Sequence, residues 1–185
     1  MPVTKQMEEY LATIYRILSE DPTVRVSTGD VARALGVSSA SATYMFKRLA
    51  KQDLVDYEGY SGVALTQKGF ELALRLIRAH RVTERFLMDH LRFPWHEVDA
   101  LAHELEHSMP AVVVDRMDEL LGFPLTCPHG HPIPRADGTI MYIPSEPLRA
   151  VEPGSEREIA SIDNDDPDLL RYLASRSLVP GQKIK

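Results

Sequence analysis

The string His103-Glu104-Leu105-Glu106-His107 constrains this chain more tightly than any other five residues. On a helix with 3.6 residues per turn, positions 103, 106 and 107 share one face. Two imidazoles and a carboxylate can then converge on a single cation. The same string matches both zinc-peptidase patterns, H-E-x-x-H and H-x-x-E-H, so the surrounding sequence has to decide between them.

Those surroundings begin with a helix-rich head. Met7, Tyr10, Ile14, Ile17 and Leu18 recur at helical spacing, which predicts an amphipathic helix from about Thr4 to Ser19, ended by Glu20-Asp21-Pro22. Arg25-Val26-Ser27 reads as a short extended piece. A second short helix starts near Thr28, and the turn Gly36-Val37-Ser38 leads into a third, from Ser38 to about Gln52. Ala42, Met45, Phe46 and Leu49 form the buried stripe of that third helix. Two short runs, Leu54 to Tyr57 and Val63 to Thr66, joined across Glu58-Gly59-Tyr60-Ser61-Gly62, read as a β-hairpin whose glycines supply the turn. Three helices and a hairpin in this order spell a winged helix-turn-helix.

In such a fold the N-terminal residues of the last helix meet base edges in the major groove. The candidate DNA contacts are therefore Arg25, Ser38, Ser39, Ser41, Thr43, Tyr44, Lys47 and Arg48. The net charge of −6 opposes nucleic acid only when averaged over the chain. Residues 1–85 hold 12 Lys/Arg against 10 Asp/Glu, and residues 86–185 hold 9 against 17. The stretch from Arg25 to Lys51 carries Arg25, Arg33, Lys47, Arg48 and Lys51 against Asp30 alone, the local patch that phosphate contacts require.

A long helix is expected from Gln67-Lys68-Gly69 to Asp89 or beyond, interrupted at Phe93-Pro94. A further helix, starting near Trp95-His96-Glu97, carries the 103–107 string. Ser108 is the expected N-cap of the next helix, whose stripe is Val113, Val114, Met117, Leu120 and Leu121 and which ends at Gly122. Three helices this apolar are too few to bury one another, so pairing with a second copy of the chain is expected.

All seven histidines lie between positions 80 and 131. His80 and Glu84 form an i, i+4 pair, and Asp99 lies one turn before His103, so antiparallel packing would set two ligand rows face to face. The crowded carboxylates would be relieved most simply by a divalent cation. Cys127, His129 and His131 could bind zinc, but their proline-interrupted spacing favours a structural loop. The region from Pro144 to Lys185 reads as short strand-like runs, an acidic turn from Asp163 to Asp168 and a short helix to Ser175. Its last residues, Val179 to Lys185, read like the entry to a strand, so the final β-module is expected to be incomplete.

No stretch approaches the roughly 18 apolar residues of a membrane span, the N-terminus has no signal-like core, and Cys127 is the only cysteine. A cytoplasmic protein is expected, with no membrane partner.

In their order and spacing, several segments together resemble the diphtheria-toxin-repressor family of iron- and manganese-dependent regulators. They are Gln6 to Tyr15, the helix-turn-helix and wing, Arg78-Ala79-His80, His103 to Ser108, and Cys127 to Pro134. The resemblance implies a mainly α fold in three parts: a winged helix-turn-helix domain (1–70), a helical metal-binding and dimerisation domain (71–134), and a partial SH3-like or FeoA-like β-module (135–185).

It also implies two metal sites per protomer. The primary site would take Glu9, His80, His103, Glu106 and His107. The ancillary site would take Glu84 and Asp99, with Asp165 and Asp168 offered by the C-terminal module. The iron branch typically has methionine at position 9 and cysteine at 103, and the manganese branch carboxylates at 9, 12 and 103. Here Glu9, Ala12 and His103 leave an oxygen and nitrogen set that suits Mn(II), with Fe(II) close behind.

The expected protein is thus a homodimeric repressor of metal-uptake genes, with metal as corepressor on a palindromic double-stranded operator. Two readings compete with it: a zinc peptidase with Glu104 as general base, and a metal-independent winged-helix regulator. The direction in which Glu104 points separates the first, because a base must share the open metal site.

Overall fold

The computed structural model describes residues 2–20 and 25–185. The expected helix break at Asp21-Pro22 lies outside the described residues. The chain divides into two compact units, residues 1–77 and 78–185.

In the first unit, α1 (Lys5–Glu20), α2 (Thr28–Ala34) and α3 (Ser39–Ala50) precede a hairpin of β1 (Val55–Glu58) and β2 (Gly62–Leu65). The hairpin pairs antiparallel, with Val55 opposite Leu65 and Glu58 opposite Gly62, and Val26 adds a bridge to Val63. Its turn is a 3-10 segment, Gly59–Ser61, and Gly62 follows at φ +88. A Cβ on Gly62 would stand 2.5 Å from the Val26 carbonyl oxygen, so glycine lets the wing close against the 25–27 segment.

Both short helices are capped from the sequence immediately before them. The Ser27 side chain accepts from the Asp30 amide, and the Ser38 side chain from the Ser41 amide. The stripe expected for α3 is the buried one: Ala42, Met45, Phe46 and Leu49. Phe46 is the hub, with Tyr10 edge-on at 6.1 Å and Tyr57 at 5.3 Å between ring centroids.

The long helix α4 (Gln67–Asp89) runs from the first unit into the second. In the second unit follow α5 (Val98–Glu106), α6 (Ala111–Leu120), β3 (Arg157–Glu158), α7 (Pro167–Ser175) and β4 (Lys183–Ile184). Ala79, Val82, Val114, Cys127 and Ile133 make one apolar cluster, and Leu87, Val98 and Ala102 another. The first joins α4 to α6 and to the 127–133 loop, and the second joins α4 to α5. Buried Arg78 adds ion pairs to Asp115 and Asp118 of α6, each at 2.8 Å.

Three local expectations change. The N-cap of α6 is Pro110, without a side-chain cap bond, and not Ser108. Proline at φ −64 and ψ 141 holds the extended conformation that a cap position requires. Helix α5 begins at Val98, three residues later than expected. On α6 only Val114 and Asp118 are buried, while Val112, Val113 and Leu120 are exposed, an apolar face that the unit itself does not cover.

The C-terminal residues form a small module. Strand β3 pairs antiparallel with β4, Arg157 opposite Ile184, and α7 is capped by Asp166, whose side chain accepts from the Asp168 and Leu169 amides. Among the described residues no helix is long and apolar enough to cross a membrane.

Candidate metal centre and DNA-facing helix

Helices α4 and α5 bring their ligand rows together as the i, i+4 spacing requires. His80 is buried, with both nitrogens engaged: Nδ1 lies 2.7 Å from Glu106 Oε2, and Nε2 lies 3.2 Å from Asp99 Oδ1 and 3.7 Å from Glu84 Oε2. Glu106 in turn receives His103 Nδ1 at 3.2 Å and His107 Nε2 at 3.3 Å on its other oxygen. His80, Glu84, Asp99, His103, Glu106 and His107 therefore form one continuous polar chain within the second unit.

Burial makes this chain costly without compensation. Glu84 and Glu106 are 2% and 3% exposed, and such carboxylates persist only where positive charge or donors face them. In the metal-free protein the imidazoles supply these. Burial opposes a charged His80, but hydrogen bonds to Asp99 and Glu106 and the charges of Glu84 and Glu106 outweigh it and raise its pKa to about 9. Burial likewise pushes the Glu84 carboxyl up, but the His129 hydrogen bond and the His80 and His129 charges hold it below the usual range.

The structure also gathers residues that sequence spacing had set aside as a loop. Cys127, His129 and Glu84 place ligand atoms within 4.8 Å of one another, all three residues buried. His129 Nδ1 lies 2.7 Å from Glu84 Oε1, and among the described residues its buried Nε2 has no hydrogen-bond partner. Burial, with Glu84 nearby, raises the pKa of the Cys127 thiol well above its ordinary range, so without a cation it stays protonated.

The 127–131 turn is built to hold this geometry. The Cys127 amide donates to the His131 carbonyl and the Gly130 amide to the Cys127 carbonyl. The Ile162 amide donates to the His129 carbonyl. Trp95 tilts over the His129 ring at 5.1 Å and donates from Nε1 to the Pro128 carbonyl. His80, Glu84 and Asp99 form a second triad of the same compactness. The donor chemistry of the two triads, carboxylate, imidazole and thiol in the first and carboxylate and imidazole in the second, fits a divalent transition cation.

Two other expected ligands lie apart from these clusters. Asp165 is exposed. Asp168 is exposed too, its carboxylate paired with Arg171 at 2.6 Å, and neither residue belongs to a triad. The acidic residue that reaches the loop is Asp163, 3.6 Å from His131 Nε2. Burial and the Arg81 charge lower the pKa of His131. Glu9 sits half-buried on α1 in the first unit. Glu104 is exposed, outside every ligand cluster of the second unit, which is not where a peptidase base would stand.

On the first unit, Ser38, Ser39, Ser41 and Tyr44 are exposed at the N-cap and leading turns of α3, with Thr43 half-buried beside them, and in its last turn Lys47 is exposed and Arg48 half-buried. Arg48 lies over the Tyr44 ring at 5.9 Å. Ser39, Thr43, Tyr44, Lys47 and Gly59 line a shared groove between the helix and the wing. Arg25 is tied to Asp56 of the wing, 3.1 Å to the carboxylate and 2.9 Å to the carbonyl.

Comparison with known proteins agrees with this division of labour. The N-terminal DNA binding domain of iron dependent repressors matches residues 2–63. Their metal binding and dimerisation domain matches residues 66–135, and a FeoA domain matches residues 146–185. The iron-dependent repressor IdeR of Mycobacterium leprae (strain TN) is 29% identical over 189 residues, covering 96% of this chain and 81% of that protein. The HTH-type transcriptional regulator MntR of Bacillus subtilis (strain 168) is 33% identical over 124 residues, covering 65% of this chain and 82% of that protein. A solved manganese-dependent transcriptional repressor in complex with manganese superimposes with a TM-score of 0.87 at 37% identity, covering 96% of this chain and 81% of that one. With its N-terminal DNA-binding domain and its metal-binding and dimerisation domain both matched, the chain belongs to the iron dependent repressor family of metal-dependent, DNA-binding transcriptional regulators, a family of repressors rather than enzymes.

Proposed function

We propose that the protein is a manganese-responsive repressor of metal-uptake genes, working in the cytoplasm as a homodimer on a palindromic operator, with Fe(II) as the second candidate cation. The observation that carries this reading is the buried Glu106–His80–Glu84 run across α4 and α5, which holds two carboxylates in the interior around one imidazole.

The primary cation would take Glu9, His103, Glu106 and His107, an oxygen and nitrogen set without sulfur. His80 would contribute from beside it: with Nδ1 donating to Glu106, its Nε2 is the nitrogen left to ligate, the usual arrangement of a histidine oriented by a carboxylate. The ancillary cation would sit on Glu84, with His80 and Asp99 on one side and Cys127 and His129 on the other as available partners. Asp165 and Asp168 are retained as ligands only if the C-terminal module moves its acidic turn on binding. A bound divalent ion supplies the positive charge that lets these carboxylates approach without protonation.

Coupling to DNA follows from differential affinity: the ion must bind more tightly when two heads are spaced for successive major-groove faces, about 34 Å or multiples apart. Metal titrations with Mn(II), Fe(II) and Zn(II) in a gel-shift assay test the assignment. Glu9→Ala and His103→Ala should each abolish metal-dependent operator binding and leave the far-UV spectrum unchanged. Retained metal-dependent binding in both variants would remove these residues from the ligand set.

A further inference from the structure

The wing, residues 55–65, contains Asp56 and Glu58 and no lysine or arginine, so its own side chains bring no cation to a phosphate backbone. The neighbouring cation, Arg25, is turned toward the hairpin. Its Nη1 donates to Asp56 Oδ2 at 3.1 Å, and its Nη2 donates to the Asp56 carbonyl at 2.9 Å and to the Gly62 carbonyl at 3.4 Å. Asp56 lies on β1 and Gly62 on β2, so one side chain spans both strands. The Arg25 Nε is buried and has no hydrogen-bond partner among the described residues.

A guanidinium held in this way is poorly placed to grip DNA. A bidentate hold on phosphate takes two N–H groups from one edge of the fork. Nη2 makes two bonds within the protein and Nε is shut away from solvent, so no complete edge faces outward. The Asp56 carboxylate already balances the charge.

We propose that Arg25 is a positioning residue for DNA binding: it fixes the angle of the wing against α3 and does not itself hold a phosphate. The inner face of the wing is seated by Tyr57, whose ring packs on Phe46 at 5.3 Å, and its second strand by the backbone pair of Val63 with Val26. Neighbouring strand residues point to opposite faces, so Asp56 faces away from Phe46 and takes its partner from outside the sheet. Arg25 is that partner. Gly59 of the wing shares a groove with Ser39, Thr43 and Tyr44 of α3, and the angle of the wing therefore sets how the leading residues of α3 approach a duplex. The Arg25 and Asp56 side chains are 31% and 61% exposed, and an ion pair so open to water adds little to stability, so the fold should survive its loss. The proposal rests on the DNA-binding role of the first unit and extends it to a cation that acts through the wing.

Binding to two duplexes separates the roles, because a phosphate contact acts alike on every sequence whereas a tilt of α3 acts on base readout. One duplex is selected from a randomised pool by the wild-type protein with Mn(II), and the other is a random duplex of the same length. Both are titrated with full-length protein at two salt concentrations and followed by fluorescence anisotropy. Arg25→Ala, Arg25→Lys and Asp56→Ala should each cut the preference for the selected duplex by about tenfold, the scale of one mismatched base pair, with the salt slope unchanged. Lysine keeps the charge but not the fork, so a phosphate contact would survive Arg25→Lys and a positioning role would not. Hydrogen exchange reads the wing without DNA: the amides of residues 55–65 should exchange faster in Arg25→Ala than in the wild type.

The proposal is overturned if Arg25→Lys binds both duplexes as the wild type does, or if Asp56→Ala leaves the preference unchanged. It is equally overturned if Arg25→Ala weakens both duplexes alike and lowers the salt slope by about 1, or if wing exchange does not change. The repressor reading fails on a different measurement, a wild-type selection with Mn(II) that enriches no sequence.

Discussion

His80 Nδ1 and Glu106 Oε2 stand 2.7 Å apart in the interior of the second unit, and this contact ties helix α4 to the 103–107 string of α5. In the metal-free protein it also makes stability depend on pH. The His80 pKa rises from 6.5 to about 9 on folding, so protonation favours the folded state. Its contribution is complete below pH 6.5 and is lost as pH rises through about 9. Thermal melts of the metal-free protein between pH 6 and 10 should show this loss. His80→Gln should flatten that part of the profile, and added Mn(II) should reverse the trend, because the ion competes with the same proton.

Arg78 and Asp118 form a second buried tie, from α4 to α6, at 2.8 Å with side chains 9% and 2% exposed. Asp118→Ala would leave the guanidinium in the interior with only the half-exposed Asp115, and should cost about 3–5 kcal/mol in urea unfolding. The exposed pair Arg116–Glu119 on the same helix provides the contrast: Glu119→Ala should change stability by less than about 1 kcal/mol.

Gly130 adopts φ +90, and a Cβ there would stand 2.0 Å from the Ala160 carbonyl oxygen. Gly130→Ala should therefore destabilise the protein by more than about 1 kcal/mol. It should also weaken Co(II) binding on the Cys127 side, measured by its thiolate-to-cobalt charge-transfer band, more than binding at the His103–Glu106 end.

Lys47 is exposed on α3 beside the groove between helix and wing. If it meets phosphate, Lys47→Ala should weaken binding to operator and random duplex alike and lower the salt-dependence slope by about 1. If Ser39 and Thr43 meet base edges, Ser39→Ala and Thr43→Ala should instead reduce the preference for operator over random duplex. Competition gel shifts at two salt concentrations separate the two effects.

Much of the fold was legible along the chain because local rules act over a few residues. The α3 stripe of Ala42, Met45, Phe46 and Leu49 and the hairpin turning through Gly62 follow from periodicity and glycine's tolerance of positive φ. The Ser108 cap failed for a local reason as well: Pro110, two residues on, already holds the extended conformation at the helix start.

The sequence by itself determined which side chains could ligate a cation and which of them share a helix face: His80 with Glu84, and His103 with Glu106 and His107. Only the tertiary structure decided that Glu84 looks two ways, toward His80 on its own helix and toward His129, 45 residues along the chain. It likewise buried Cys127 and His129 and left Asp165 and Asp168 in solvent. The reason is physical: residue spacing sets contacts within one helix, whereas contacts between distant segments depend on how apolar faces such as Val82, Val114 and Ile133 pack.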